Sequence, residues 1–435
     1  MKFKPYEKYK KVKLPWIDEI PSHWEMNKVK YKFDLVKEPS TDKNPTVLSL
    51  TQKGIKIRDI ELNEGQLAKS YEGYNTVKKG YICLNPMDLE SGAASKSEYN
   101  GVISNAYFTI RPKGFDINSD FYSKYFNLHY KKKIFYGFGK GVGRPEGSGG
   151  RWTLNRETFT NFPILSPPKE EQDKIADFLD LNLDKIDKFV ELTERQIALL
   201  KEQKEVIIND AVTKGIDKNV EYKDSGIDWI GEIPAHWEVT RVKYISKILN
   251  GGTPNSSISE FWNGDIFWVT PKDLSKVSKY IYSSDRKITK EGYKNCSTSL
   301  IPKNNIIMAT RAPIGNIKIN KIETTINQGC KAILVDKNLI DLNYLYFLLN
   351  DYLEELQLLG NGATFVELST SNLSQFKINI PPKKEQKEIV AYIEKETSKI
   401  DRIIELYKSQ IELIKEYRTS LIASAVTGKI DVRDF

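Results

Sequence analysis

Cysteine and histidine are nearly missing from this 435-residue chain, with three of each. Cys83, Cys296 and Cys330 stand far apart and form no CxxC pair, which argues against a disulfide frame or a metal site and fits reduced, mostly buried thiols. His23 and His236 occupy the same place in a repeated IPxHW motif, so a shared packing role is expected of them; His129, beside a lysine run, has no visible partner. No apolar run approaches the roughly 20 residues that cross a bilayer. The basic N-terminus MKFKPYEKYKKVK also lacks the apolar stretch of a secretory signal, and the chain is expected in the cytoplasm.

Catalytic motifs are missing too. Lys140 follows Gly139 without the upstream glycine or the following Ser/Thr of a phosphate-binding Walker loop. FYGFG at Phe135–Gly139 fits the FxGxG pattern of adenosylmethionine loops, but it follows a lysine run rather than a buried strand and has no acidic ribose partner at the expected distance. The double prolines at Pro167 and Pro381 lack the flanking Asn/Asp and aromatic residues of an amino-methyltransferase motif, and no metal-binding or nuclease-like constellation is present. Catalysis is expected to lie elsewhere.

What the chain does contain, it contains twice. WIDEIPSHWEMNKVKY at Trp16–Tyr31 returns as WIGEIPAHWEVTRVKY at Trp229–Tyr244, and the stretch Pro167–Asp217 returns at Pro381–Asp431. The offsets are 213 and 214 residues, so segments of nearly equal length but different sequence separate the repeats. Such a frame suits a molecule that reads two different things at a fixed separation.

Proline and glycine are absent for roughly 40 residues after Pro167-Pro168 and again after Pro381-Pro382, until Gly215 and Gly428. Proline at the entrance and glycine at the exit mark a helix, here about 60 Å long at 1.5 Å per residue, which needs a partner along its length. Alternating spacings of three and four give a coiled-coil seam in duplicate. It runs through Ile175, Leu179, Asn182, Ile186, Phe189, Thr193, Lys204 and Ala211, and through Ile389, Ile393, Glu396, Ile400, Ile403, Tyr407, Arg418 and Ala425. Parallel helices in equivalent register would set Lys204 against Arg418, two cations inside one seam, which is unfavourable. An antiparallel pair turning about Thr193 and Tyr407 would instead set Lys204 against Glu396 and Asn182 against Arg418. The antiparallel pair is therefore predicted.

The formal charge is +8, distributed as about +10 over residues 1–160 and about −2 over the rest, so the first variable segment sits in a field that attracts phosphate backbones. Both variable segments alternate short β-rich runs with Gly, Asn, Ser and Pro turns, plus apolar helix candidates at Phe121–His129 and Tyr344–Leu358, predicting one mixed α/β domain in each half. Four loops combine small residues with groups suited to phosphates and base edges. They nominate Lys140, Arg144 and Arg151 in Gly137–Arg151, Thr253 and Asn255 in Asn250–Ser257, Thr270 and Lys272 in Val269–Leu274, and Arg311 and Asn316 in Thr310–Asn316 as DNA contacts. The expected fold is α+β: two mixed α/β recognition domains separated by two long antiparallel coiled-coil helices, in a pseudo-twofold repeat. The expected boundaries are 1–165, 166–216, 217–379 and 380–435.

The WIxEIPxHW motifs, YKDSGIDWIGEIP at Tyr222–Pro234, the PPxxEQ motifs and the duplicated helices together resemble the specificity subunit of type I restriction-modification systems over essentially the whole length. GGTP at Gly251, WVTPKDL at Trp268, TRAPIGN at Thr310, NQGCKAI at Asn327 and LSTSNL at Leu368 are similar to one class of target-recognition domain; YNTVKKGYICLNPMD at Tyr74 and YNGVISNAYFTIRP at Tyr99 resemble another. The segment before Trp16 departs from the pattern by lacking the DSGID found before Trp229. The resemblance implies a non-catalytic subunit whose two unlike domains read an asymmetric, interrupted site in double-stranded DNA. It further implies two methyltransferase subunits docked on the helices and restriction-translocase subunits beyond them. No cofactor belongs to this chain on that reading; S-adenosylmethionine, ATP and Mg would reside on the partners. A subunit of a combined restriction-methylation enzyme, an autonomous methyltransferase or nuclease, and a protein-only coiled-coil scaffold are the alternatives.

Overall fold

The computed structural model describes residues 3–60, 70–142, 151–311, 313–360 and 367–435; at 142 and 151 the description covers the backbone alone. Two long helices dominate, the central helix Lys169–Lys214 of 46 residues and the C-terminal helix Lys383–Val426 of 44. Each begins just after a double proline, with Glu170 and Glu171, or Glu385, in the first turn where the positive end of the helix dipole favours carboxylates. Each stops at a left-handed glycine, Gly215 at φ 77° and Gly428 at φ 72°. At the second stop the Lys429 N–H donates to the Ser424 carbonyl at 2.8 Å, tying off the last turn.

The chain forms two compact units, Met1–Thr193 with Lys408–Phe435, and Glu194–Tyr407. In the first unit Leu421, Ile422, Ala425 and Val426 from the end of the C-terminal helix share a core with Ile175, Leu179 and Ile186 from the start of the central helix. In the second, Ala211 and Val212 from the end of the central helix meet Ile389 and Ile393 from the start of the C-terminal helix. The helices are therefore antiparallel, as the charge argument required. Each such fully buried Leu or Ile contributes about 1.5–3 kcal/mol relative to exposure.

Two details of the predicted seam are corrected. Phe189 and Ile403 are exposed, and Ile404 is buried beside the latter; an apolar stripe drifts around a 3.6-residue helix, and a strict alternation of three and four takes one step too early at this place in both copies. Lys204 binds Asp401 at 2.6 Å, not Glu396, and Arg418 binds Asp187 at 3.3 Å, not Asn182. Glu396 is held by Lys399 one turn along its own helix, and the Asn182 amide donates to the Phe178 carbonyl of its own helix. Asp187 and Asp401 directly follow the seam residues Ile186 and Ile400. They stand at the seam's wet edge, where a long, partly buried cation reaches an exposed carboxylate. The two ion pairs are one contact made twice, since Lys204 and Arg418, like Asp187 and Asp401, are 214 positions apart.

In each unit the variable segment opens and closes on one antiparallel strand pair, Glu25–Lys28 with Pro163–Ser166 and Glu238–Arg241 with Lys377–Ile380. Between these ends the first domain holds a four-stranded antiparallel sheet in the order Phe33–Val36, Phe108–Pro112, Ile82–Leu84, Ala94–Lys96, and the helix Ser119–Lys131. The second holds a five-stranded sheet in the order Ser246–Asn250, Cys330–Val335, Ile306–Ala309, Gly315–Asn320, Tyr280–Ile281, a three-stranded sheet, and the helix Leu342–Asp351. A further helix, Leu353–Leu358, completes the second predicted apolar stretch after a break at Tyr352. The tail that lacks DSGID still forms the same element as its counterpart, Tyr9–Leu14 pairing Ile17–Pro21 as Tyr222–Asp224 pairs Glu232–Pro234.

The repeated motifs explain each other. The Glu171 carboxylate of PPKEEQ accepts from Trp24 Nε1 at 2.7 Å, from the Tyr6 hydroxyl at 3.1 Å, and lies 2.5 Å from His23 Nε2; Glu385 of PPKKEQ accepts from Trp237 Nε1 at 3.0 Å and lies 2.8 Å from His236 Nε2. The next residue, Gln172 or Gln386, accepts the backbone N–H of Asn118 at 2.8 Å or Asp341 at 2.6 Å, and these are the residues that cap each domain helix. One Glu-Gln dipeptide thus fastens the long helix to both the IPxHW strand and the domain behind it.

Candidate nucleic-acid interface

In the second domain the nominated loops converge. NGGTP follows the strand Ser246–Asn250, VTPKDL follows Trp262–Val269, TRAPIGN follows Ile306–Ala309, and NQG joins Thr325–Ile326 to Cys330–Val335. One glycine is required by the approach: a Cβ on Gly251 would lie 1.9 Å from the Asn327 carbonyl oxygen. At Gly329 a Cβ would lie at ordinary contact distance from the Pro271 ring, 3.4 Å, and Arg311 Cδ, 3.6 Å, so these loops pack side by side. Polar bonds fix the cluster: Asn327 Nδ2 donates to Thr253 Oγ1 at 2.9 Å, and Arg311 Nε donates to Glu367 Oε2 at 3.0 Å. Lys331 Nζ donates to Asn250 Oδ1 at 3.1 Å, and Thr370 Oγ1 donates to that same oxygen at 2.7 Å.

Thr253, Lys272 and Arg311 are exposed within this cluster. Asn255 is exposed as well, with its Oδ1 accepting the Ser257 N–H at 3.0 Å in a local turn. Thr270 has a structural duty. It caps the helix Pro271–Ser275, donating its hydroxyl to Asp273 Oδ2 at 2.6 Å, which accounts for the T-P-x-D spelling of that loop. Asn316 is half-buried at φ 49°, in the irregular pairing where Ala309 faces Gly315; asparagine tolerates that left-handed backbone. Glu367, Lys331, Asn327 and Asn250 were not nominated from the sequence. NQGCKAI carried the signal for two of them, but a carboxylate is not an obvious member of a DNA-facing loop.

In the first domain Lys140–Val142 pairs Arg151–Thr153 as a hairpin, with Lys140 exposed and the Trp152 ring 4.6 Å from that of Tyr136. Arg144 lies outside the described residues, as does the Arg151 side chain. FYGFG forms a tight helical turn at Phe135–Phe138, with Phe135 buried against His129 and Phe162. Cys83 and Cys330 are buried thiols that burial pushes up, the former to about 12. Among the described residues no His/Cys/Asp/Glu group of three or more could hold a metal ion, and no helix is long and apolar enough to cross a membrane.

A family model described as the type I restriction modification DNA specificity domain matches residues 21–202 and again 234–416. The chain belongs to that family. It is a DNA-recognition subunit and not itself catalytic. The MjaIX specificity subunit of a type I restriction enzyme from Methanocaldococcus jannaschii is 36% identical over 208 residues, 46% of this chain and 45% of that protein, so this alignment spans less than half of the relative. The putative MjaX specificity subunit of the same organism is 24% identical over 451 residues, covering 100% of this chain and 99% of the other. The EcoR124I/EcoR124II specificity subunit of Escherichia coli is 28% identical over 293 residues, 64% of this chain and 67% of that one. The fold is similar to that of the HsdS subunit from Thermoanaerobacter tengcongensis, with a TM-score of 0.56, 15% identity, and 94% and 98% of the two chains covered. It is also similar to a chain from a study of complex assembly and conformational transition of the type I R-M system, at a TM-score of 0.71 and 13% identity, covering 94% and 99%.

Proposed function

We propose that this chain selects an interrupted, asymmetric site in double-stranded DNA in the cytoplasm, each variable domain reading one half-site and the paired helices holding the spacing between them. The observation that carries the reading is the contrast between frame and content. The joints at Glu171 and Glu385 are the same construction, while the domains they carry differ in sheet order and in loops. A duplicated reader with two identical domains would suit a palindrome; unlike domains suit unlike half-sites.

The chemistry belongs to partners. Two copies of a methyltransferase subunit, binding S-adenosylmethionine and methylating adenine, dock on the helices, and restriction-translocase subunits using ATP and Mg complete the complex. The support is an apolar face presented twice: Phe189 and Ile403, Leu192 and Leu406, and Leu199 and Leu413 are exposed at equivalent positions of the two helices. Exposed apolar rows of this kind mark protein contacts, and duplication suits two copies of one partner. Incubating the chain with labelled S-adenosylmethionine and DNA, with and without the methyltransferase subunit, tests the division of labour. Transfer only in the presence of the partner supports it, and turnover by the chain alone contradicts it.

A further inference from the structure

Arg311 and Glu367 face each other across an isolated antiparallel bridge, with the Leu368 N–H donating to the Thr310 carbonyl at 2.8 Å. The backbone therefore makes them a cross-strand pair. The carboxylate is shared: Oε2 takes the Arg311 Nε–H at 3.0 Å, while Oε1 lies 3.7 Å from Lys331 Nζ. Lys331 is the buried member, its side chain 6% exposed against 47% for Arg311, and burial pulls its ammonium below the usual lysine range. Asn250 completes its coordination. The Arg311 stem lies against the Asn327–Gly329 turn, its Cδ 3.6 Å from where a Cβ on Gly329 would stand.

The geometry has a chemical meaning. A guanidinium held through Nε has spent one of its five N–H donors; among the described residues no hydrogen bond takes its two terminal amino groups, which form a planar fork matched to guanine O6 and N7 in the major groove. A salt bridge made through those amino groups would have consumed that fork. We infer that Arg311 reads a guanine in the second domain's half-site and that Glu367, anchored by Lys331, is the positioning residue that aims it. The inference rests on the proposed reading of DNA by this domain, and adds the base and the residue pair that reads it.

The test is competition binding by the assembled methyltransferase complex against duplexes in which each base of the recognition site is changed in turn. Wild type discriminates against replacement of one guanine in one half-site by on the order of tenfold or more. Arg311→Lys keeps the charge but not the planar fork, and should abolish that preference while leaving every other position as selective as before. Glu367→Gln should weaken the preference at the same base, with affinity for non-specific DNA retained. The other half-site is the folding control, because a variant that failed to fold would lose selectivity everywhere. Unchanged discrimination in both variants would overturn the inference. So would uniform weakening across all sequences in Arg311→Lys, the mark of a phosphate contact. A wild-type complex with no sequence preference would instead sink the underlying function.

Discussion

Single carboxylates at the joints carry more than their neighbours. Trp24 and Trp237 are wholly buried, and each donates its indole N–H to the Glu of PPxxEQ. Removing the acceptor leaves that donor unpaired in the core. Glu385→Ala is expected to cost about 2 kcal/mol, read as a lowered denaturation midpoint, and Glu171→Ala should cost more because Tyr6 loses its acceptor as well. Equal stability in both variants would show that the bonds merely accompany the packing. His129 supplies a second prediction. It donates Nδ1–H to the Tyr125 carbonyl at 2.7 Å inside an aromatic pile, where burial pushes its imidazole down to about 4. The unfolded chain binds that proton near 6.5, so between about 6.5 and 4 the unfolded state holds more protons and stability falls as pH falls. Going from pH 7 to 5 should cost about 2 kcal/mol from this group, and His129→Phe should remove that part of the acid sensitivity. Hydrogen exchange of Ser119–Lys131 at the two pH values measures it; an unchanged pH dependence in the variant would refute the assignment. The sequence marked His129 as without a visible partner, and a lone histidine beside lysines gave no sign of the phenylalanines that surround it.

The elements were legible where one physical rule dominates. Proline before and glycine after a long interval free of both located the two helices, and a seam that cannot hold two cations gave their antiparallel sense. The finer register was not legible, because seam periodicity does not say how far along the partner a lysine side chain will reach. Lys204 and Arg418 found aspartates at the edge of the interface in preference to the seam positions facing them. Lys204→Glu should therefore destabilise by about 0.5–1 kcal/mol, and Asp401→Lys should restore the loss. Restoration by Glu396→Lys instead would favour the register first expected. Loop membership was readable from composition, whereas the meeting of Arg311 with a carboxylate 56 residues away was not; such a contact is fixed by sheet topology. The helices also permit a test of the spacing role. Four residues inserted in the central helix add about 6 Å, comparable with one or two base-pair rises, and should change the accepted spacer while both half-sites stay the same. Altered half-site bases with an unchanged spacer would contradict it.

For the molecule as a whole, the internal repeat was the most informative feature of the sequence, because two copies of one frame show which residues build geometry and which are released to differ. The frame residues bind one another: tryptophan to glutamate, glutamine to helix cap, lysine or arginine to aspartate across the helices. The divergent segments build the two domains, and in the second their loops gather at strand ends; which bases are read follows from contacts with DNA that no pattern within the chain encodes. On the proposed function, two unlike domains on one duplicated frame specify one bipartite site for partner enzymes. Genome-wide mapping of methylated adenine, in cells with and without this gene, tests it most directly. The expected result is one interrupted motif with two dissimilar halves, present in the parent and lost on deletion. An unchanged methylation map with the partner subunits still present, or the loss of a palindromic motif, would contradict it.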